Sequence, residues 1–114
     1  MKFTEETVKS IVVFHLQGKL MGGPEMQAMC DRLQELIRAG TKSMVMDFQN
    51  VRWINSAAIG TIIGCLTTLR NKGGDVRFAN VQGASRHYFH ITKLESIIKA
   101  FDHVDEAVKS FQLT

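Results

Sequence analysis

The chain has 114 residues, 45% hydrophobic and 22% charged, with 14 basic against 11 acidic side chains for a net charge of +3. That length suits a single domain spanning residues 1–114, able to bury roughly two thirds of its unfolded surface without metal or disulfide help. The basic residues are scattered from Lys2 to Lys109 with no stripe and no interleaved aromatics, so a nucleic-acid partner is not expected.

The first ten residues, MKFTEETVKS, carry acidic side chains where a signal peptide would be apolar. A short strand is predicted around Phe3 to Val8, paired with a second in VKSIVVFHLQGKL that Gly18 closes. Gly23-Pro24 then suits a helix start, since proline at the first helical position has no amide in need of a partner. Met26, Met29, Cys30, Leu33 and Ile37 form one apolar stripe at helical spacing, and Gly40 ends that helix. The two cysteines, Cys30 and Cys65, both fall within helix-period apolar patterns and read as small buried hydrophobes rather than as a disulfide or redox pair. The run SMVMDFQNVRWI is strand-like up to Asn55, and the overlapping KSMVMDFQN is apolar enough for a short strand covered on both faces. A helix from Ser56 to about Asn71 follows, then an NKGGD turn. In DVRFANV, Val76 and Phe78 alternate with Asp75 and Arg77, the pattern of a strand with one drier face. GASRHYFHITKLES reads as a short helix and loop, and IIKAF as a short last strand. Val104, Ala107, Val108 and Phe111 make the stripe of a closing helix, with Asp102 or His103 available to start it. Strands alternating with helices predict an α/β fold with mostly parallel pairing. The longest nearly apolar run, AAIGTIIGCL, is too short to span a bilayer and is interrupted by Gly60, Thr61 and Gly64. A cytoplasmic protein with no membrane partner is expected.

The Ser56 helix has two unlike faces. Wound at about 100° per residue, Ile59, Ile62, Ile63, Leu66 and Leu69 gather on one side, to face the sheet. Ala57, Gly60, Thr61, Gly64, Thr67, Thr68 and Asn71 gather on the other, without a charge. A solvated face usually holds Glu, Lys, Gln and Arg, and each glycine costs about 0.8–1 kcal/mol against alanine. Two explanations are open. A neighbouring helix of the same chain packs closely over Gly60 and Gly64, or the face is a docking surface for another protein, made of Asn55, Ser56, Ala57, Gly60, Thr61, Gly64 and Thr68. Ser56 sits where the helix cap belongs, a role worth ~1 kcal/mol. A phosphate on its hydroxyl would also meet free amides and the positive end of the helix dipole.

Other clusters are thinner. His87 and His90 stand three apart on a predicted helix, but no further ligand of suitable spacing accompanies them, so no metal is expected. GKLMGGPE has the glycines of a phosphate loop without its Gly-Lys-Ser/Thr ending. His15 and His103 have no visible partner. Asp47 ends a buried strand with no base or nucleophile nearby in sequence, and reads as strand-end capping or part of a partner surface. No cofactor is implied, and an enzyme is not expected.

VVFHLQGKL, then MVMDFQNVRWINSAAIGTIIGCLTTLRNKGGDVRFANVQ, YFHITKLESII and FDHVDEAVKSF together carry a likeness running nearly the full length. The chain resembles the STAS domain (sulfate transporter and anti-sigma factor antagonist), specifically the small bacterial anti-sigma factor antagonists. The diagnostic stretch is a strand, Asn55-Ser56, a helix with Ile59-Gly60, and Lys72-Gly73-Gly74. The resemblance implies a single mixed, mostly parallel sheet with helices packed against it. It also implies that Ser56 is phosphorylated by a partner that is both serine kinase and anti-sigma factor. The unmodified form binds that partner and frees a sigma factor, and a serine phosphatase resets the system. The chain departs from the family's usual Asp-Ser-Ser/Thr-Gly at Asn55-Ser56-Ala57-Ala58. It has Met21 where an aspartate is common, and Phe89-His90-Ile91-Thr92-Lys93-Leu94 for Phe-Asp-Ile-x-Gly-Leu. These departures leave an alternative, a non-phosphorylated STAS scaffold subunit of a signalling or transport assembly. The small-residue face could equally serve a homodimer.

Overall fold

The structure is a computed structural model that describes residues 1–112, with the backbone alone at Ala84. Strands β1 (Lys2–Val8) and β2 (Ile11–Leu20) form an antiparallel hairpin. Its two turn residues, Lys9 and Ser10, both have positive φ, the mirror-image turn whose twist matches that of the strands. Then follow α1 (Pro24–Arg38), β3 (Ser43–Ile54), α2 (Ser56–Asn71), β4 (Asp75–Ala79) and α3 (Gly83–Ile91). A single 3-10 turn at Leu94–Ser96, β5 (Ala100–Phe101) and α4 (Val104–Gln112) complete the described chain. The sheet order is β1-β2-β3-β4-β5, and every pairing after the first is parallel. The mixed, mostly parallel α/β sheet expected from the sequence is the one observed.

Helices α1, α2 and α3 cover one side of the sheet. Leu33 and Ile37 from α1, Ile62 and Leu66 from α2 and Phe89 from α3 meet Met44, Met46, Phe48 and Phe78 in a buried layer. Phe48, Phe78 and Phe89 close into a triangle with centroids 5.6–5.8 Å apart. Among the described residues, helix α4 alone covers the other side, setting Ala107 and Val108 on Ile11, Val13, Val45 and Ala79. One short helix cannot cover five strands, so the far ends of β2 and β3 stay open, with Gln17, Lys19, Gln49 and Arg52 exposed.

Four details differ from the sequence reading. Strand β2 does not stop at Gly18; it passes through that residue at φ 92° and shifts register before Lys19, so the glycine carries a bulge rather than an end. Strand β3 takes in all 12 residues of the strand-like run SMVMDFQNVRWI rather than only the short strand KSMVMDFQN, well beyond its buried Met44–Phe48 centre. Only Ala100 and Phe101 of IIKAF are strand. Arg77 is not on a wetter face: it is 7% exposed, its guanidinium 3.9 Å from the centroid of the Phe111 ring while Nη1 donates to Ser110 Oγ at 2.6 Å. The alternation was there, but α4 seals the polar side too. Gly74 explains the Lys-Gly-Gly turn, since a Cβ there would stand 2.5 Å from Ile37 Cδ1.

Candidate functional site

The junction of β3 and α2 is built by Asn55. Its backbone N–H donates to Leu20 O at 3.1 Å, tying it to the end of β2. In extended geometry, its side-chain oxygen accepts from the Ala58 amide at 2.9 Å, and its carbonyl accepts from Ile59 N at 3.1 Å. Asn55 is therefore the helix cap, which corrects the expectation for Ser56. The serine is the first helical residue, exposed, and its hydroxyl makes no hydrogen bond among the described residues. Among the described residues its own amide and that of Ala57 have no protein acceptor, and the first turn holds no acidic side chain. These are the free donors and positive dipole end that accept an anion.

From Ser56 the outer face of α2 runs through Ala57, Gly60, Gly64 and Thr67, all exposed, with Thr61 and Thr68 half-buried. Among the described residues, a Cβ built on Gly60 or Gly64 meets no atom of another element within 4 Å, so no described helix closes over them. Helix α1 lies beside α2 and leaves a groove of about 300 Å³ lined by Gln27, Cys30, Gln34, Thr61, Gly64, Cys65 and Thr68. The threonine hydroxyls are already spent: Thr61, Thr67 and Thr68 donate to the carbonyls of Ala57, Ile63 and Gly64 at 2.9–3.1 Å. What they offer outward is mostly methyl.

The sheet side of α2 is Ala58, Ile59, Ile62, Cys65, Leu66 and Leu69. Ile63, expected among them, is 37% exposed and joins Met21 (50%) and Trp53 (44%) as large apolar side chains open to solvent. Gly22, at φ 82°, carries the Met21 loop against α2, where a Cβ would stand 3.2 Å from that of Ala57. Met21 entered the sequence reading only as a missing aspartate and Trp53 not at all. The signal for both was a bulky apolar residue at a strand end.

A second grouping was invisible from spacing. His15 Nδ1 lies 2.7 Å from Asp47 Oδ2 and its Nε2 lies 2.9 Å from Glu6 Oε1, while Asp47 Oδ1 accepts from the Gln49 amide at 3.0 Å and from Asn80 Nδ2 at 2.8 Å. Burial by itself would lower the His15 pKa, but the hydrogen bonds to Asp47 and Glu6 outweigh it and hold the imidazole above its ordinary value. The cluster lines a polar cleft of about 740 Å³ near the start of α4, with Arg86, Asp102, His103 and Asp105. On α3, His90 Nδ1 is 2.9 Å from Glu95 Oε1 and the His87 ring stacks edge-on to Tyr88. The two histidines converge on no common point with a third ligand: among the described residues no three His, Cys, Asp or Glu side chains do.

The model of the STAS domain matches residues 2–107. The chain belongs to the STAS domain family. Comparison of the sequence with curated proteins gives no match. Among solved structures, this STAS domain superposes on an anti-sigma factor antagonist from Mycobacterium paratuberculosis with TM-score 0.79 at 15% identity, over 96% of this chain and 92% of that one. The Bacillus cell-fate determinant SpoIIAA in its phosphorylated form gives TM-score 0.72 at 19% identity, over 96% and 99%. A sulfate transporter family protein from Wolinella succinogenes gives TM-score 0.72 at 12% identity, over 95% and 89%. At such identities the likeness is one of fold. Among the described residues, no helix is long and apolar enough to cross a membrane.

Proposed function

We propose that this STAS domain is an anti-sigma factor antagonist whose docking face is the outer side of α2, and that phosphorylation of Ser56 ends the docking. The observation that carries the reading is the open, charge-free strip at Gly60 and Gly64 beside an exposed hydroxyl with no structural duty. The partner is a protein that is both serine kinase and anti-sigma factor, and a serine phosphatase reverses its mark. A phosphate at Ser56 adds roughly −1.5 to −2 charges at the leading edge of the face. The helix tolerates it, because the amides of Ser56 and Ala57 are free and the dipole there is positive. A partner lying over glycine and threonine methyls must desolvate that charge, so the mark acts as a veto on binding rather than on folding. The role is non-catalytic and cytoplasmic.

Incubation with the cognate kinase and ATP, followed by mass spectrometry, should place one phosphate on Ser56. Ser56→Asp and Gly64→Arg should each weaken kinase binding at least tenfold in calorimetry while the circular dichroism spectrum is unchanged. An unmodified Ser56, together with full binding by both variants, would overturn the proposal. A second reading has its own support: the Asn55-Ser56-Ala57-Ala58 junction offers no acidic group for a nucleotide's metal, and a sulfate transporter family protein shares the fold. Under it, the same strip seats a neighbouring subunit of a transport or signalling assembly, or a second copy of this chain. Gly64→Arg then dissolves that assembly, and Ser56→Asp has no effect.

A further inference from the structure

The sequence makes Cys30 and Cys65 inert packing residues; the structure puts them together. Cys30 lies on the flank of α1 and Cys65 on the flank of α2, 3% and 6% exposed. Both line the groove between the two helices, in company with Thr61, Gly64 and Thr68. Helix-period burial accounts for each alone. It does not account for two thiols meeting across one seam at the floor of a solvent-reaching groove.

We propose that Cys30 and Cys65 are an oxidisable dithiol, which a hydroperoxide closes to a disulfide linking α1 to α2. The two side chains face one groove from adjacent helices, and there hydrogen bonding from Cys65 favours the Cys30 thiolate and lowers its pKa below the ordinary thiol value, while the same interaction and burial push Cys65 up. Cys30 is accordingly the attacking thiol, since thiolate rather than thiol is the nucleophile. Its sulfur attacks one oxygen of the hydroperoxide, the O–O bond breaks, and the leaving oxygen takes a proton to depart as water or an alcohol. Cys30 is now a sulfenic acid. The Cys65 sulfur attacks it, the S–O bond breaks, the S–S bond forms, and the hydroxyl leaves as water with the Cys65 proton. Two thiols are oxidised and one peroxide is reduced. Thiols of this kind in a reducing compartment serve as transient sensors rather than structural staples. The chemistry does not depend on what α2 binds, so either idea can fail without the other.

Treating the reduced protein with dilute hydrogen peroxide should lower its intact mass by about 2 Da, the two hydrogens lost on disulfide formation. A non-reducing tryptic digest should then join the peptide of residues 20–32 to that of residues 53–70, and dithiothreitol should separate them. In Cys65→Ser the sulfenic acid has no resolving thiol, so dimedone should label Cys30. Cys30→Ser should be unreactive at the same peroxide dose. The melting temperature of the wild type should rise on oxidation, because the bond restricts the unfolded chain. Oxygen gained without a cross-link, a link between two copies, or two thiols still titratable after peroxide would each overturn the proposal, and all three are read on the wild type.

Discussion

Helices α1 and α2 lie side by side on the same side of the same sheet and are nearly equal in length, 15 and 16 residues. Their inner faces answer one constraint in one way: Met26, Met29, Leu33 and Ile37 on α1 match Ile59, Ile62, Leu66 and Leu69 on α2. Their outer faces do not match. Helix α1 shows solvent Glu25, Gln27, Asp31, Arg32, Glu35 and Arg38, and Arg32 Nε reaches Glu5 Oε2 at 2.7 Å while its Nη1 reaches Glu35 Oε2 at 3.2 Å. Helix α2 shows Ala57, Gly60, Ile63, Gly64 and Thr67, with no charge before Arg70. Water alone would select the first kind of face for both. The contrast teaches that solvation and helix propensity alone do not account for the outer face of α2.

The largest effects should confirm that the inner faces are equivalent. Leu33→Ala and Ile62→Ala each remove a side chain at most 1% exposed and should each cost about 2–5 kcal/mol in urea unfolding. A loss near zero for Ile62→Ala alone would mean that α2 is loosely seated, and the comparison would break. Next comes the junction. Asn55→Ala removes the cap on Ala58 and should cost about 1 kcal/mol, whereas Ser56→Ala should stay within about 0.5 kcal/mol. The reverse order would return the capping role to Ser56 and deprive its hydroxyl of its freedom.

Asn55 and Ser56 show how far the sequence could be read. Both were visible as a helix start, because polar residues between a strand pattern and a helix pattern have few other uses. Which one caps depended on where extended geometry ends, a matter of one residue that the Asn55–Leu20 backbone bond decides. The order of elements was legible for a similar reason: period-two and period-3.6 patterns alternate cleanly from Ile11 to Asn71. Arg77 and Ile63 were misplaced because periodicity assigns a side but not what covers it. Arg77 is covered by α4 from over 25 residues later, and Ile63 sits at the edge of the apolar stripe, outside the groove that α1 closes on Thr61, Gly64, Cys65 and Thr68. His15, Asp47 and Glu6 were beyond reach, since only the β1–β2 and β2–β3 registers bring them together.

A smaller effect has the opposite sign. Gly60→Ala and Gly64→Ala fill open space on a helix interior and should each raise stability by about 0.8–1 kcal/mol. A stabilised protein that binds its partner less well would sharpen the contrast with α1, where the outer face already holds good helix formers. Unchanged stability would mean that the glycines are already relieved by something the helix itself supplies.

The smallest effect takes the comparison across the sheet, where the charged groups absent from α2 are concentrated. His15 bridges Glu6 and Asp47, and its folded-state pKa lies above the ordinary 6.5. The folded chain therefore holds this proton more tightly than the unfolded chain does. The resulting stabilisation is whole below the ordinary histidine value and is lost as pH rises through the higher folded-state one. Thermal melts should show the wild type losing stability over that interval. In His15→Gln that loss should shrink, because the bridge to Asp47 and Glu6 no longer carries a proton. Charge therefore tunes the α4 side of the sheet with pH, while α2, with no charged side chain before Arg70, should not respond.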